Sequence, residues 1–148
     1  MIVELLLNGR RIELEAGAGE TLLEALRRGG RIGSVRATCG IGVCGECTVL
    51  LEGEPVSACL LLAPQAAARE VTTVEGLPPE DPLPRAFAES RAFQCGYCTP
   101  GMILTASSLL REHPAPSDEQ VAEALGGNLC RCGCYPRIAA AVRKAAAA

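Results

Sequence analysis

The spacing of apolar and polar positions changes character halfway along the chain. Ile2–Leu7 reads as a strand, and Arg10–Glu15 alternates polar with apolar residues, as a half-buried strand should. Asn8-Gly9 between them is the strongest short hairpin signal. Gly17 to Gly19 breaks the alternation. Thr21 followed by Glu24 forms a capping-box signature, and Leu22, Leu23 and Leu26 then define a helical face that stops at Gly29-Gly30. A second hairpin is predicted from Thr48–Leu51, turning at Glu52-Gly53-Glu54 and returning through Val56 to Cys59. Glu70–Val74 reads as a last strand.

Gly76, Pro78, Pro79, Pro82 and Pro84 fall close together and mark a break. We therefore expect one domain over residues 1–76, a linker over 77–84 and a second domain over 85–148. Beyond the break the period is helical. Arg85–Phe93 carries Ala86, Phe87 and Phe93. Met102–Glu112 carries Met102, Ile103, Ala106, Leu109 and Leu110. Ser117 caps a third helix with Gln120 as its capping-box partner, and Gly126-Gly127 ends it. Pro136 starts a fourth, with Ile138, Ala141 and Val142 on one face, before an alanine-rich tail. The expected class is α+β: a small sheet with one helix, then four helices. No internal repeat is present.

Composition narrows what holds such units together. Of 148 residues, 49% are hydrophobic but only 3% are aromatic and none is Trp, so Leu, Val, Ile and Ala must build the cores. A domain of about 75 residues is near the size at which small folds need staples. The nine cysteines suggest them. Nine is odd, and Glu4 interrupts the start so that only Leu5-Leu6-Leu7 could serve as a secretory apolar core. A secreted disulfide framework fits poorly; cytoplasmic metal ligands fit better. The net charge of −3 (14 basic, 17 acidic) argues against a nucleic-acid partner. No apolar run approaches the ~18 residues of a membrane span.

The chemistry lies in two cysteine groups. Cys39, Cys44 and Cys47 are spaced x4 and x2, and Cys59 follows. This is the plant-type [2Fe–2S] spacing, in which four thiolates hold one cluster. Gly40, Gly42 and Gly45 suit a loop whose backbone must wrap closely around it. They also spell GxGxxG, but a dinucleotide fingerprint opens a helix, whereas a strand follows here. Zinc also takes four thiolates, though structural zinc sites usually pair two short knuckles rather than three cysteines plus one. The second group is Cys95-Gly96-Tyr97-Cys98 with Cys130-Arg131-Cys132, each pair before a helix. Helix N-termini favour negative charge, which suits thiolates. A thioredoxin-like dithiol would want a βαβ setting, and Cys-x-Cys is an awkward zinc knuckle.

Taken in order, CGIGVCGEC, QCGYCTPGM and GGNLCRC resemble the small iron–sulfur subunit of molybdenum hydroxylases, the family of xanthine oxidase, aldehyde oxidoreductase and aerobic carbon monoxide dehydrogenase. The resemblance covers nearly the whole chain. It implies a β-grasp ferredoxin-like domain followed by a four-helix-bundle domain, each with one [2Fe–2S] cluster. It implies that Cys39, Cys44, Cys47 and Cys59 hold the cluster nearer FAD, and that Cys95, Cys98, Cys130 and Cys132 hold the one nearer molybdenum. Gln94 and Cys132 would lie close to the pterin. Electrons would pass from a large molybdopterin subunit through both clusters to a medium FAD subunit, the whole forming a dimer of heterotrimers. One departure is Gly133-Cys134-Tyr135, where the family usually has Thr-Gly or Gly-Thr before the tyrosine; Cys134 is expected to be a buried small hydrophobe rather than a ligand or redox sensor. Tyr97 and Tyr135 are expected to pack over the cluster loops, and His113, the only histidine, to be solvated. Arg131 could offset cluster charge or be a plain surface residue. With no hydrolytic or mononuclear-metal motif, the chain is expected to carry electrons rather than turn over substrate. The alternatives are a free-standing ferredoxin-like carrier or redox sensor, and a zinc-binding interaction module.

Overall fold

The computed structural model describes all residues, Met1–Ala148. Five strands and five helices follow in the order β1 (Ile2–Leu7), β2 (Arg10–Glu15), α1 (Leu22–Arg28), β3 (Thr48–Leu51), β4 (Glu54–Ser57), β5 (Glu70–Thr72), α2 (Pro82–Glu89), α3 (Thr99–Glu112), α4 (Asp118–Leu125) and α5 (Tyr135–Ala146). Short 3-10 turns at Ala63–Ala66 and Val74–Gly76 fill the connections.

The sheet order is β2-β1-β5-β3-β4, with β1 and β5 parallel and the other neighbours antiparallel. Local chemistry fixes its first hairpin. Asn8 and Gly9 both take positive φ, 52° and 74°, which a tight two-residue turn requires. The alternation of β1 then buries Val3, Leu5 and Leu7 on one face. Helix α1 is held at its start by the Thr21–Glu24 capping box and lays Leu22, Leu23, Ala25 and Leu26 on that face. Together with Leu14, Val49 and Val71 these residues make the first core.

The second core belongs to the helices, around Phe87, Met102, Ile103, Val121, Ile138 and Val142. Ser117 and Gln120 form the expected box at α4. Some boundaries differ from expectation. Asp81 accepts a hydrogen bond from the Leu83 amide and Pro82 takes the first turn, so α2 begins inside the stretch read as linker. It ends at Glu89, because Arg91 adopts a left-handed φ of 48°, and Phe93 lies outside it. Helix α3 begins directly after Cys98, with Pro100 in its first turn. Strand β5 ends at Thr72, and Val74 packs against the helical core.

The two cores share one wall. All four residues of β3 are buried. Val49 and Leu51 face the first core. Thr48 and Leu50, on the opposite face, lie under α3, which packs across β3 with Leu104, Thr105 and Ser108 buried. Arg111 near the end of α3 donates to the Gly53 carbonyl at 2.5 Å, at the β3–β4 turn. This seam brings the two cysteine loops together.

Candidate metal centres

Every cysteine is a free thiol. In the first loop Gly40, Gly42 and Gly45 all take left-handed φ, 68°, 73° and 70°. This curls the backbone so that the amides of Ile41, Cys44 and Val43 converge on Cys39 Sγ and hold its thiol down at about 6. Cys44, Cys47 and Cys59 are buried, and burial pushes the Cys47 thiol up to about 11. In the second group Cys98 and Cys130 are buried, and burial pushes Cys98 up to about 12, helped by the neighbouring Cys130. Burial opposes ionisation of Cys130 too, but the amides of Cys134 and Cys132, with the Cys98 side chain, outweigh it and lower its value. Cys95 and Cys132 are exposed, their sulfurs 3.7 Å apart.

Side-chain contacts join Cys39 to Cys44, Cys47 to Cys59, Cys98 to Cys130 and Cys95 to Cys132, and Cys130 also meets Cys134. Two such contacts in each group fit a two-iron cluster, in which each iron takes two thiolates. The donor set and the inward-facing amides fit such a cluster.

The remaining singled-out residues fall as follows. Gln94 is exposed and lines a groove with Phe93, Cys132, Pro136 and Arg137. Cys134 is buried in the helical core, its amide donating to Cys130 Sγ at 3.5 Å. Both tyrosines reach the cysteine loops. Tyr97 is half exposed, lies under the Arg36 guanidinium at 5.1 Å and meets Thr38 Oγ1 through its hydroxyl. Tyr135 is also half exposed, and its hydroxyl accepts from the Cys130 amide at 2.8 Å. His113 is exposed beyond α3, and Arg131 is exposed.

Sequence reasoning missed what joins the two loops. Leu129 donates its amide to the Cys44 carbonyl at 2.8 Å. Beside it the buried Asn128 amide donates to the Gly45 carbonyl at 3.0 Å and to Thr48 Oγ1 at 3.3 Å, and Asn128 Oδ1 accepts from Thr105 at 2.9 Å. The only signal was an amide-bearing residue between a Gly-Gly stop and a ligand-type cysteine, which reads equally well as loop.

Comparison with known proteins adds the following. Residues 5–73 match the 2Fe-2S iron-sulfur cluster binding domain, and residues 73–143 the [2Fe-2S] binding domain. The chain is 46% identical over 147 residues to the nicotinate dehydrogenase small FeS subunit of Eubacterium barkeri, covering 97% of this chain and 93% of that one. It is 41% identical to isoquinoline 1-oxidoreductase subunit alpha of Brevundimonas diminuta, covering 98% and 97%. Among solved structures, quinoline 2-oxidoreductase from Pseudomonas putida 86 superposes with a TM-score of 0.95 at 40% identity, covering 99% of this chain and 93% of that chain. The aldehyde oxidoreductase of Desulfovibrio gigas superposes with a TM-score of 0.93 at 35% identity, with this chain spanning 17% of its length. Two cluster-binding folds, eight cysteines in two groups and relatives matched end to end lead to one conclusion: this chain belongs to the small iron–sulfur subunits of the molybdenum hydroxylases, binds two [2Fe–2S] clusters and serves an oxidoreductase complex as its electron-transfer subunit.

Proposed function

We propose that Cys39, Cys44, Cys47 and Cys59 hold the cluster nearer the flavin, and that Cys95, Cys98, Cys130 and Cys132 hold the cluster nearer molybdenum. Electrons enter at the second cluster from the pterin of a large molybdopterin subunit and leave from the first to a medium FAD subunit. The assembly is a dimer of such heterotrimers in the cytoplasm, where free thiols persist. The groove beside Cys132 and Gln94 takes the pterin edge. Ile41, Val43 and Leu60, exposed apolar residues on and beside the first cysteine loop, meet the flavin subunit.

The observation that carries this reading is the bond from the Leu129 amide to the Cys44 carbonyl. Leu129 precedes Cys130, and Cys44 belongs to the other group. One hydrogen bond therefore separates the covalent frame of one cluster from that of the next. The cofactors supply the redox chemistry; the chain fixes their order, insulation and distance.

The test is anaerobic purification with quantitation of metal, sulfide and partners. The expected result is iron and acid-labile sulfide near four each per chain, two distinct EPR signals, and co-purification with two larger subunits. A colourless protein holding stoichiometric zinc would refute the cluster assignment. A fully loaded chain that never associates with larger subunits would favour the free-standing carrier.

A further inference from the structure

We propose that Asn128 is the positioning residue for electron transfer between the two clusters, its buried side-chain amide bracing one cluster loop against the other. The inference rests on the ligand assignment above. Asn128 is nearly fully buried, yet each polar atom of its side chain has a partner on a different segment. Its Nδ2 donates to the Gly45 carbonyl, between Cys44 and Cys47, and to Thr48 Oγ1 at the start of β3. Its Oδ1 accepts from Thr105 on α3. Thr48 Oγ1 also donates to the Gly45 carbonyl, at 2.7 Å, so two side chains close on one peptide.

The surrounding glycines show how tightly this node is drawn. A Cβ at Gly101 would lie 2.5 Å from the Gly45 carbonyl oxygen. Helix α3 thus meets the first cluster loop backbone to backbone. The node borders the Leu129–Cys44 bond on both sides, since Gly45 follows Cys44 and Asn128 precedes Leu129. Residues 45 and 128 are 83 apart in sequence, and no other side-chain hydrogen bond joins the two cysteine-bearing loops at this depth. Removing the brace frees the Cys44 peptide to turn away from Leu129 while leaving all eight cysteines in place.

The test uses the full chain carrying both clusters, with Asn128→Asp and Thr105→Val. Aspartate keeps the shape and the acceptor for Thr105 but sets an oxygen against the Gly45 carbonyl. Valine removes a single bond of the node. Val3→Ala, a core truncation on β1, which pairs with β2 and β5 away from the node, serves as the control for lost packing. Iron, sulfide and the separate EPR signals are measured first. One cluster is then reduced by a radiolytic pulse, and equilibration between the two is followed optically. Electron transfer slows as the coupling path between the clusters lengthens or breaks, so Asn128→Asp should slow equilibration severalfold. Thr105→Val should fall between it and the parent, with iron content intact, and Val3→Ala should leave the rate unchanged. Equilibration at the parental rate in Asn128→Asp, or equal slowing in Val3→Ala, overturns the proposal. If Asn128→Asp loses a cluster, Thr105→Val decides, and a parental rate there overturns it. A parent chain without iron would overturn the ligand assignment as well, and the iron count alone distinguishes that failure.

Discussion

Two glycines of the first cysteine loop share a conformation but not a neighbourhood, and alanine at each should separate the two effects. Gly40 has φ +68° and Gly45 φ +70°. Alanine at either position bears the left-handed penalty of roughly 1–2 kcal/mol. A Cβ at Gly40 meets nothing within 4 Å. At Gly45 it would lie 2.4 Å from the Gly127 carbonyl oxygen, 2.6 Å from Asn128 Nδ2 and 2.9 Å from Asn128 Cα. Two of these are backbone atoms that no rotamer change relieves. Overpacking of this kind costs about 1–3 kcal/mol. Losing the bond from Asn128 to the Gly45 carbonyl adds about 1 kcal/mol. Gly45→Ala should therefore cost roughly 2–4 kcal/mol more than Gly40→Ala. With a urea slope near 2 kcal/mol/M, its midpoint should fall about 1–2 M below that of Gly40→Ala. The assay is anaerobic urea titration of the loaded chain, followed by cluster absorbance and far-UV circular dichroism. Equal midpoints for the two variants would refute the close approach of the cysteine loops.

Three further outcomes are expected. Cys134→Ser should keep both EPR signals while Cys132→Ser loses one; loss of a signal in Cys134→Ser alone would reverse the assignment. Glu89 is held below its ordinary 4.5, at about 2, by Lys144 and then Arg85, and so ties α2 to α5. A depressed carboxylate stabilises above its unfolded value and ceases to do so as pH falls through its folded one. Glu89→Gln should flatten the pH dependence of the thermal midpoint between about 4.5 and 2, measured at low salt; an unchanged slope would dismiss the ion pair. Thr21→Ala, which removes the side-chain half of the α1 capping box and leaves the residue-21 amide donating to Glu24, should cost about 1 kcal/mol in urea titration, against nothing measurable for an exposed control such as Glu123→Ala.

What the sequence disclosed depended on how local the cause was. Asn8-Gly9, the Thr21–Glu24 box and the Ser117–Gln120 box act within four residues, and the turn and both helix starts fall where those signals put them. Both cysteine groups were legible because ligand spacing is itself local. Errors arose where a tertiary contact or a rarer cap outweighed the pattern. Phe93 extended the expected second-domain helix, but Asp81, Pro82 and the left-handed Arg91 shift α2 toward its N-terminus. Val74 was read as strand, yet packs with the helices. Tyr97 reaches the first cysteine loop through Thr38, as expected, but nothing local announced Arg36, 61 residues away in sequence, over its ring. Nothing near Asn128 could announce partners at Gly45, Thr48 and Thr105.

The unequal shelter of the two cysteine groups bears on how the complex is built. Three of the first four sulfurs are buried within the chain, whereas Cys95 and Cys132 stand open to solvent. On the proposed docking of a partner over Cys132, that side closes on assembly, so iron is expected to enter before the subunits join and to leave a lone chain from that half first.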